Sequence, residues 1–173
     1  MKKVLLISED YVKTNSNISD NLWGKFLTPA IREAQEISLA KIIGKDMLAD
    51  ILSQVEKGTI ADEKNKENKM LLDEYIRPYL LYQVLANVIP VIGTKLSNMG
   101  NMTTDDEKAY NISSAERDRL EKYYQSRADY YCGELQDYLC DNSSDYPEMN
   151  ENNLHSSAST GLWLGGLRGR KLI

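Results

Sequence analysis

The sequence predicts an all-α protein, a compact helical bundle with extended N-terminal and C-terminal arms. Apolar residues recur every three or four positions through the middle of the chain, as on the buried face of a helix. Capping residues and glycines mark the ends of these segments. The 173 residues, 42% of them hydrophobic, suffice for one domain with appendages. We therefore expect an N-terminal arm over 1–18, the bundle over 19–141 and a C-terminal arm over 142–173.

The first two helices of the bundle are bounded by proline and glycine. Before them, Lys2 to Ser8 fits a short strand or an extended arm. Thr28 followed by Pro29 predicts a helix start, since threonine caps helices and proline suits the first helical position. That helix would stop at Gly44, and the next, KDMLADILSQVEK, would stop at Gly58. The predicted buried stripe of the first helix comprises Ala30, Ala34 and Ile37.

The third predicted helix is the central element of the bundle. It spans Met70 to Leu96 and is apolar on nearly all sides between Tyr75 and Ile92, as expected for a helix that others surround. Pro78 and Pro90 each lack a backbone N–H, so we expect a kink or a break at one or both. The segment that follows, NMGNMTTDDEKAYN, is loop-like with room for a small hairpin.

The last predicted helix opens with a capping box, Ser113 to Glu116, and runs to about Asp141. Its recurring apolar positions are Leu120, Tyr124, Tyr131, Leu135 and Tyr138. From Asn142 to Thr160 the sequence is polar and has no periodicity, which predicts a disordered or extended tether.

Residue composition gives little support to a catalytic or metal-dependent function. The single histidine, His155, and the two cysteines, Cys132 and Cys140, are too few for a zinc site, and we expect both cysteines to be reduced thiols. No phosphate-binding glycine motif is present. We therefore expect no enzymatic activity and no cofactor. The net charge of −5 argues against general nucleic-acid binding, and no segment has the roughly 20 apolar residues of a membrane span.

Tyrosine is abundant, with eleven residues against one phenylalanine. Neighbouring helix positions diverge by about 100°, so the adjacent pairs Tyr123-Tyr124 and Tyr130-Tyr131 cannot both face one core. Tyrosine suits protein interfaces because it is apolar with a polar tip. We therefore predict that Tyr123 and Tyr130 face a partner.

The C-terminal sequence GLWLGGLRGRKLI, Gly161–Ile173, is here called the docking peptide. Its apolar residues would expose several hundred Å² in water, about what marks an interaction site. Its glycines disfavour a helix but allow close approach of the backbone to another surface. We predict that it binds a partner with Trp163 as anchor, the alternative being that it folds back on its own bundle. The predicted contact residues are Leu162, Trp163, Leu164, Leu167, Arg168, Arg170, Lys171, Leu172 and Ile173.

The stretch LISEDYVKTNSNISDNLWGKFLTPAIREAQEISLAKIIGKDM resembles the opening of head–tail connector (adaptor) proteins of tailed bacteriophages. The resemblance is to those of phages that infect Bacteroides-type gut bacteria, including the crAss-like group. It continues through YIRPYLLYQVLANVIPVIGTKLSNMG and the tyrosine-rich last helix, covering Leu5 to Tyr138. Its most specific parts are PAIREAQ, the stop at Gly44 and YLLYQVLANVIP.

This resemblance implies a structural virion protein located at the head–tail interface and made in the cytoplasm of a bacterial host. It implies a homo-oligomeric ring, twelve-fold, that contacts the portal protein on one face and a further ring or tail protein on the other. Genomic DNA would pass through the central channel without sequence-specific binding. Two alternatives remain open from the residues alone. One is an enzyme or regulator that binds a small ligand near Tyr79 and Tyr82, and the other is a DNA-packaging partner that uses the basic docking peptide.

Overall fold

The computed structural model describes residues 4–19, 22, 24–92, 94–97, 100–103 and 113–146. The docking peptide and most of the predicted tether lie outside the described residues, so the predictions made for them stay predictions. Within the described residues the predicted compact helical fold is confirmed.

The N-terminal segment packs against the bundle. Helix α1, Glu9–Thr14, begins at Ser8, whose hydroxyl accepts a hydrogen bond from the N–H of Tyr11 (3.0 Å). The side chains of Leu6, Ile7 and Val12 are buried in the same core as the helices of the bundle. This part of the predicted arm is therefore packed on the domain rather than extended from it.

Helix α2, Gly24–Glu33, begins before the predicted start at Thr28-Pro29, so that prediction is wrong. Pro29 is the sixth residue of the helix, beyond the four N–H groups that have no intrahelical partner, so α2 includes it at the cost of one backbone hydrogen bond. The hydroxyl of Thr28 donates to the Glu9 carboxylate instead of capping the helix. Thr28 therefore ties α2 to α1.

A π-helical turn, Ala34–Leu39, separates α2 from helix α3, Ala40–Ile43. The wider turn shifts the direction in which later side chains point. Ile37 is consequently 52% exposed, although the sequence pattern placed it on the buried stripe. Gln35 points inward and is 1% exposed. Its amide donates to the Val4 carbonyl (3.1 Å) and accepts from the Leu6 N–H (2.9 Å), as a neighbouring strand would.

Helix α4, Lys45–Lys57, matches the predicted second helix. Gly44 (φ 86°) ends α3 and Gly58 (φ 71°) ends α4, and both have the positive φ that glycine adopts without a steric penalty. The buried residues of α4 are Met47, Leu48 and Ile51, with Leu52 and Val55 partly buried beside them.

The central element consists of helix α5, Lys66–Met70, a second π-helical turn, Leu71–Ile76, and helix α6, Arg77–Val88. A short 3-10 helix, Glu63–Asn65, precedes α5. The prediction that this element is buried on nearly all sides is confirmed in α6. Its buried residues are Tyr79, Leu80, Leu81, Gln83, Val84, Leu85, Ala86 and Val88.

The central element ends earlier than predicted. The helix stops at Val88, and Pro90 lies in the turn that follows. Proline ends the helix because its ring would clash with the preceding helical turn and because it has no N–H to donate. Leu96, predicted as the last helical residue, instead lies in strand β1, Thr94–Ser97. This strand pairs antiparallel with β2, Gly100–Thr103, as the small hairpin for which the sequence had room.

Helix α7, Ser114–Asp141, has the predicted capping box. The Ser113 hydroxyl accepts from the N–H of Glu116 (3.2 Å), and the Glu116 carboxylate accepts from the N–H of Ser113 (2.9 Å). Beyond α7 a 3-10 helix, Ser143–Asp145, leads to Tyr146, which is 2% exposed. The prediction of an extended tether from Asn142 is therefore wrong for residues 142–146, because Tyr146 returns the chain to the core.

Candidate interaction surface

Two stacked tyrosine pairs join the central element to α7. Tyr75 stacks on Tyr138 with ring centres 4.2 Å apart and an interplanar angle of 24°. Tyr82 stacks on Tyr131 with ring centres 5.3 Å apart and an angle of 8°. From the first pair to the second, the residue number rises by seven in the central element and falls by seven in α7. The two helices therefore run antiparallel. Stacking therefore fixes the register of α7 on the bundle.

A buried polar layer lies on the same interface. Gln83, 8% exposed, donates to the Asn87 side-chain carbonyl (2.9 Å) and lies 3.5 Å from the amide oxygen of Gln125. The Tyr79 hydroxyl lies within 3.5 Å of Gln83 and donates to it, and burial raises the pKa of Tyr79 well above its ordinary value. Two of these contacts lie within α6 and only the contact to Gln125 reaches α7, so this layer adds one polar contact to the pairing that the stacked tyrosines set.

Outside this layer, two further tyrosines rest edge-on against one buried and one partly buried tyrosine. Tyr123 contacts Tyr124 with ring centres 5.2 Å apart, and Tyr130 contacts Tyr131 at 5.3 Å. Tyr124 is held in turn by its hydroxyl, which donates to the Asn17 side chain (2.6 Å). Tyr123 is 51% exposed and Tyr130 is 61% exposed. The two predicted interface aromatics therefore project from the bundle on a rigid base.

The exposed tyrosines belong to a longer stripe that we call the α7 face. Its members follow one another at steps of four or three residues, the spacing of one side of a helix. They are Tyr123, Arg127, Tyr130, Glu134, Asp137 and Asp141, all exposed. The Arg127 guanidinium lies 5.1 Å from the centre of the Tyr123 ring, in cation–π range. The first half of the face is thus aromatic and cationic, and the second half is acidic.

The acidic half of the α7 face is unneutralised within the described chain. Glu134, Asp137 and Asp141 form no ion pair with any residue that the structure describes. From Asp129 to Asp145 the sequence contains five carboxylate side chains and no lysine or arginine. This end of α7 therefore presents a negative potential to any approaching partner.

Two open hollows lie beside the exposed tyrosines. The larger, about 390 Å³, is formed by Tyr123, Ser126, Arg127 and Tyr130 on the surface of α7 alone. The smaller, about 190 Å³, is below the roughly 300–1,000 Å³ of typical ligand pockets. Its lining residues are Asn15, Ser16, Asn17, Tyr82, Leu85, Tyr123 and Tyr124. Of the two tyrosines suggested for small-ligand binding, Tyr82 lines this hollow, whereas Tyr79 is 4% exposed and does not.

Other chemistry is sparse in the described part of the chain. No three histidine, cysteine, aspartate or glutamate side chains there are placed to hold a metal ion. None of the described helices is long and apolar enough to cross a membrane. Both cysteines are free thiols, Cys140 exposed and Cys132 half-buried, and burial raises the pKa of Cys132 to about 11.

The sequence identified Tyr123 and Tyr130 but missed the rest of the α7 face. The signal for Arg127 and the three carboxylates was available in the sequence, since they follow from Tyr130 in successive steps of three and four residues. This spacing identifies an interaction surface only when the helix is known to expose that side to solvent. The predicted residues of the docking peptide lie outside the described residues, so the structure does not place them.

Comparison with known proteins gives one match. The model of a family described as "Family of unknown function (DUF6712)" matches residues 39–158, more than half of the chain and all of α4 to α7. No curated protein and no solved structure matches the chain.

Proposed function

Since the chain belongs to the DUF6712 family, whose function is unknown, we propose its role from its surface: it is a structural subunit that assembles through the α7 face. The assembly is the head–tail connector ring of a tailed bacteriophage, which joins the portal to the tail and surrounds part of the DNA channel. The observation that carries this proposal is the exposed aromatic half of the α7 face, Tyr123, Arg127 and Tyr130.

Those three residues are of the two types, tyrosine and arginine, that contribute strongly to the energetics of protein interfaces. Tyrosine and arginine, with tryptophan, are the side chains whose truncation most often costs 2 kcal/mol or more. Exposed single apolar residues are ordinary, but two large rings and a guanidinium in one patch favour a partner. The rings also rest on Tyr124 and Tyr131, so they lose little rotamer freedom when a partner binds. A rigid aromatic patch of this kind supports protein recognition better than catalysis.

The resemblance of Leu5 to Tyr138 to connector proteins supports the identity of the assembly. In the proposed ring each subunit contacts its neighbours, the portal protein and a further ring or tail protein, and twelve copies surround the channel. The net charge of −5 suits a channel through which DNA passes, since like charge disfavours adhesion of the genome.

Ring formation is tested on the full-length protein by native mass spectrometry and negative-stain microscopy. We expect a closed ring, and we expect the protein in purified virions in fewer copies than the major capsid protein. Tyr130→Ala should weaken assembly by more than tenfold per contact, because truncation of an interface anchor costs about 2 kcal/mol. Ile37→Ala is the matched control, since Ile37 is similarly exposed but lies on the first π-helical turn.

Two results would overturn the proposal. One is a protein that stays monomeric at high concentration and does not bind portal protein. The other is its absence from virions. Equal assembly of the Tyr130→Ala and Ile37→Ala variants would show that the α7 face is not the interface.

A further inference from the structure

We propose that the docking peptide of one copy binds along the α7 face of the next copy. The inference rests on the proposed function, which supplies the neighbouring copy, and it identifies the occupant of the α7 face. It is argued from the order of chemical groups on the two surfaces, from their lengths, and from the length of chain between them.

The two surfaces are complementary in the same order along the chain. The α7 face is aromatic from Tyr123 to Tyr130 and acidic from Glu134 to Asp141. The docking peptide is apolar from Leu162 to Leu167 and basic from Arg168 to Lys171. When the peptide runs parallel to α7, Trp163 meets the tyrosines and the basic residues meet the carboxylates. In the antiparallel direction both matches are lost.

The lengths of the two surfaces also agree. Tyr123 and Asp141 are separated by about 27 Å along α7, at a rise of about 1.5 Å per residue. Trp163 and Lys171 are separated by about 26 Å in extended chain, at about 3.3 Å per residue. The peptide has glycines at 165, 166 and 169, and the missing side chains allow its backbone to lie close to the helix. One extended peptide therefore spans the whole α7 face.

Each half of the face has a partner suited to it. Trp163 is the largest apolar side chain of the docking peptide, and the concave surface beside it would be the hollow of about 390 Å³ between Tyr123 and Tyr130. The Arg127 guanidinium at the same hollow can stack on the indole ring. Glu134, Asp137 and Asp141 pair with no cation in the described chain, so Arg168, Arg170 and Lys171 would neutralise them.

The connecting chain is long enough to deliver the peptide to a neighbour. Between Tyr146, buried in the core, and the docking peptide lie residues 147–160, which allow Tyr146 and Gly161 to be up to about 50 Å apart when extended. The peptide and the α7 face are different surfaces, so the peptide of each copy can bind the face of the following copy in a head-to-tail contact. Repeated contacts of this type close into rings when the rotation between copies permits it. A contact of this kind is thus one from which a ring can be built.

The first test follows Trp163 in the full-length protein. Trp23→Phe leaves Trp163 as the only tryptophan, because the chain has two. In the assembled ring we expect blue-shifted emission and acrylamide quenching several-fold slower than for free tryptophan. Adding Tyr130→Ala should bring quenching close to that of free tryptophan, whereas Ile37→Ala should leave it unchanged. Dilution that dissociates the ring should expose Trp163 in parallel.

The second test reverses one charge on each of the two surfaces and does not depend on Trp23. Asp137→Lys and Arg170→Glu should each raise the concentration at which the ring dissociates, by about tenfold, because each places like charges opposite one another. The double variant should return to within about threefold of the wild type, since the pair is then restored with opposite polarity.

Three results would overturn this inference. Fast quenching of Trp163 in an intact ring would show an undocked peptide and would leave the connector function standing. Quenching protection that persists unchanged in dissociated monomers would place the peptide on its own copy. Additive effects of the two charge reversals would show that Asp137 and Arg170 do not meet. Failure of the proposed function is distinct, because the protein would then form no ring at any concentration.

Discussion

Replacing Gln35 by leucine would isolate the contact that holds the N-terminal segment on the bundle. Leucine keeps most of the side-chain volume but neither donates to the Val4 carbonyl nor accepts from the Leu6 N–H. The Leu6 amide is buried, so its N–H finds no substitute partner. The variant therefore tests whether one buried amide, and not apolar packing alone, fixes this part of the chain.

The magnitude follows from the two hydrogen bonds. The Val4 carbonyl is at the edge of the core and can recover a water molecule, so loss of its hydrogen bond costs about 1 kcal/mol net. The buried Leu6 N–H is left without a partner, which costs about 1–3 kcal/mol. We expect Gln35→Leu to lower the free energy of unfolding by about 2–4 kcal/mol. The N-terminal segment does not avoid this loss by detaching from the bundle. Detachment exposes the side chains of Leu6 and Ile7 to water, which costs about 1.5–3 kcal/mol for each.

Urea unfolding monitored by circular dichroism measures the loss, and hydrogen exchange locates it. The Leu6 amide should exchange about 30- to 700-fold faster in the variant if the opening stays local, which corresponds to the same 2–4 kcal/mol. Gln54→Leu is the matched control. Its side chain bonds Asp50 and Asn68 at the half-exposed surface of α4, where water replaces lost partners, so we expect a change within about 0.5 kcal/mol. Equal losses in the two variants would refute the role assigned to Gln35.

Two further predictions concern the last described turn and the thiols. Tyr146→Ala should lower the free energy of unfolding by about 3–5 kcal/mol, since it removes a buried ring. Tyr146→Phe is the control, because it keeps the packing and loses only the hydroxyl contacts to Tyr138 (3.3 Å) and the Glu67 carbonyl (3.2 Å). An unchanged urea midpoint for Tyr146→Ala would mean that the domain ends with α7. Burial disfavours the charged thiolate and raises the pKa of Cys132 from 9.0 to about 11, so at pH 8 its thiolate fraction is about a hundredfold below that of an unperturbed thiol. Iodoacetamide mapping should find Cys140 alkylated first, with the rate at Cys132 rising steeply towards pH 11, and equal rates at pH 8 would contradict the buried position.

The sequence alone determined the features that depend on neighbouring residues. The capping box at Ser113 and the positive-φ glycines at 44 and 58 depend only on local backbone chemistry, and all three lie where predicted. The all-round burial of α6 followed from its composition, since a helix apolar on every side has to be surrounded. The exposure of Tyr123 and Tyr130 followed from their adjacency to a second tyrosine on the same helix.

Tertiary structure decided the features for which local preference competes with packing. Thr28 and Pro29 carry a strong start signal, but contact with Glu9 and the burial of Leu27 and Ile31 extend the helix to Gly24. The π-helical turn at Ala34–Leu39 has no mark in the sequence, and it exposes Ile37, which was predicted to be buried, while Gln35 points inward. Tyr146 lies in a polar stretch without periodicity, yet Tyr138 and the Glu67 backbone draw it into the core.

The α7 face also depends partly on sequence and partly on tertiary structure. Its residue types are plain in the sequence, but which of them share a face depends on the register of α7 against the central element. The stacks of Tyr75 on Tyr138 and Tyr82 on Tyr131 set that register, and they join residues 63 and 49 positions apart. A periodic pattern reports the side of a helix that is apolar. Only the packed neighbour determines which remaining side faces outward and in what order its charges are presented.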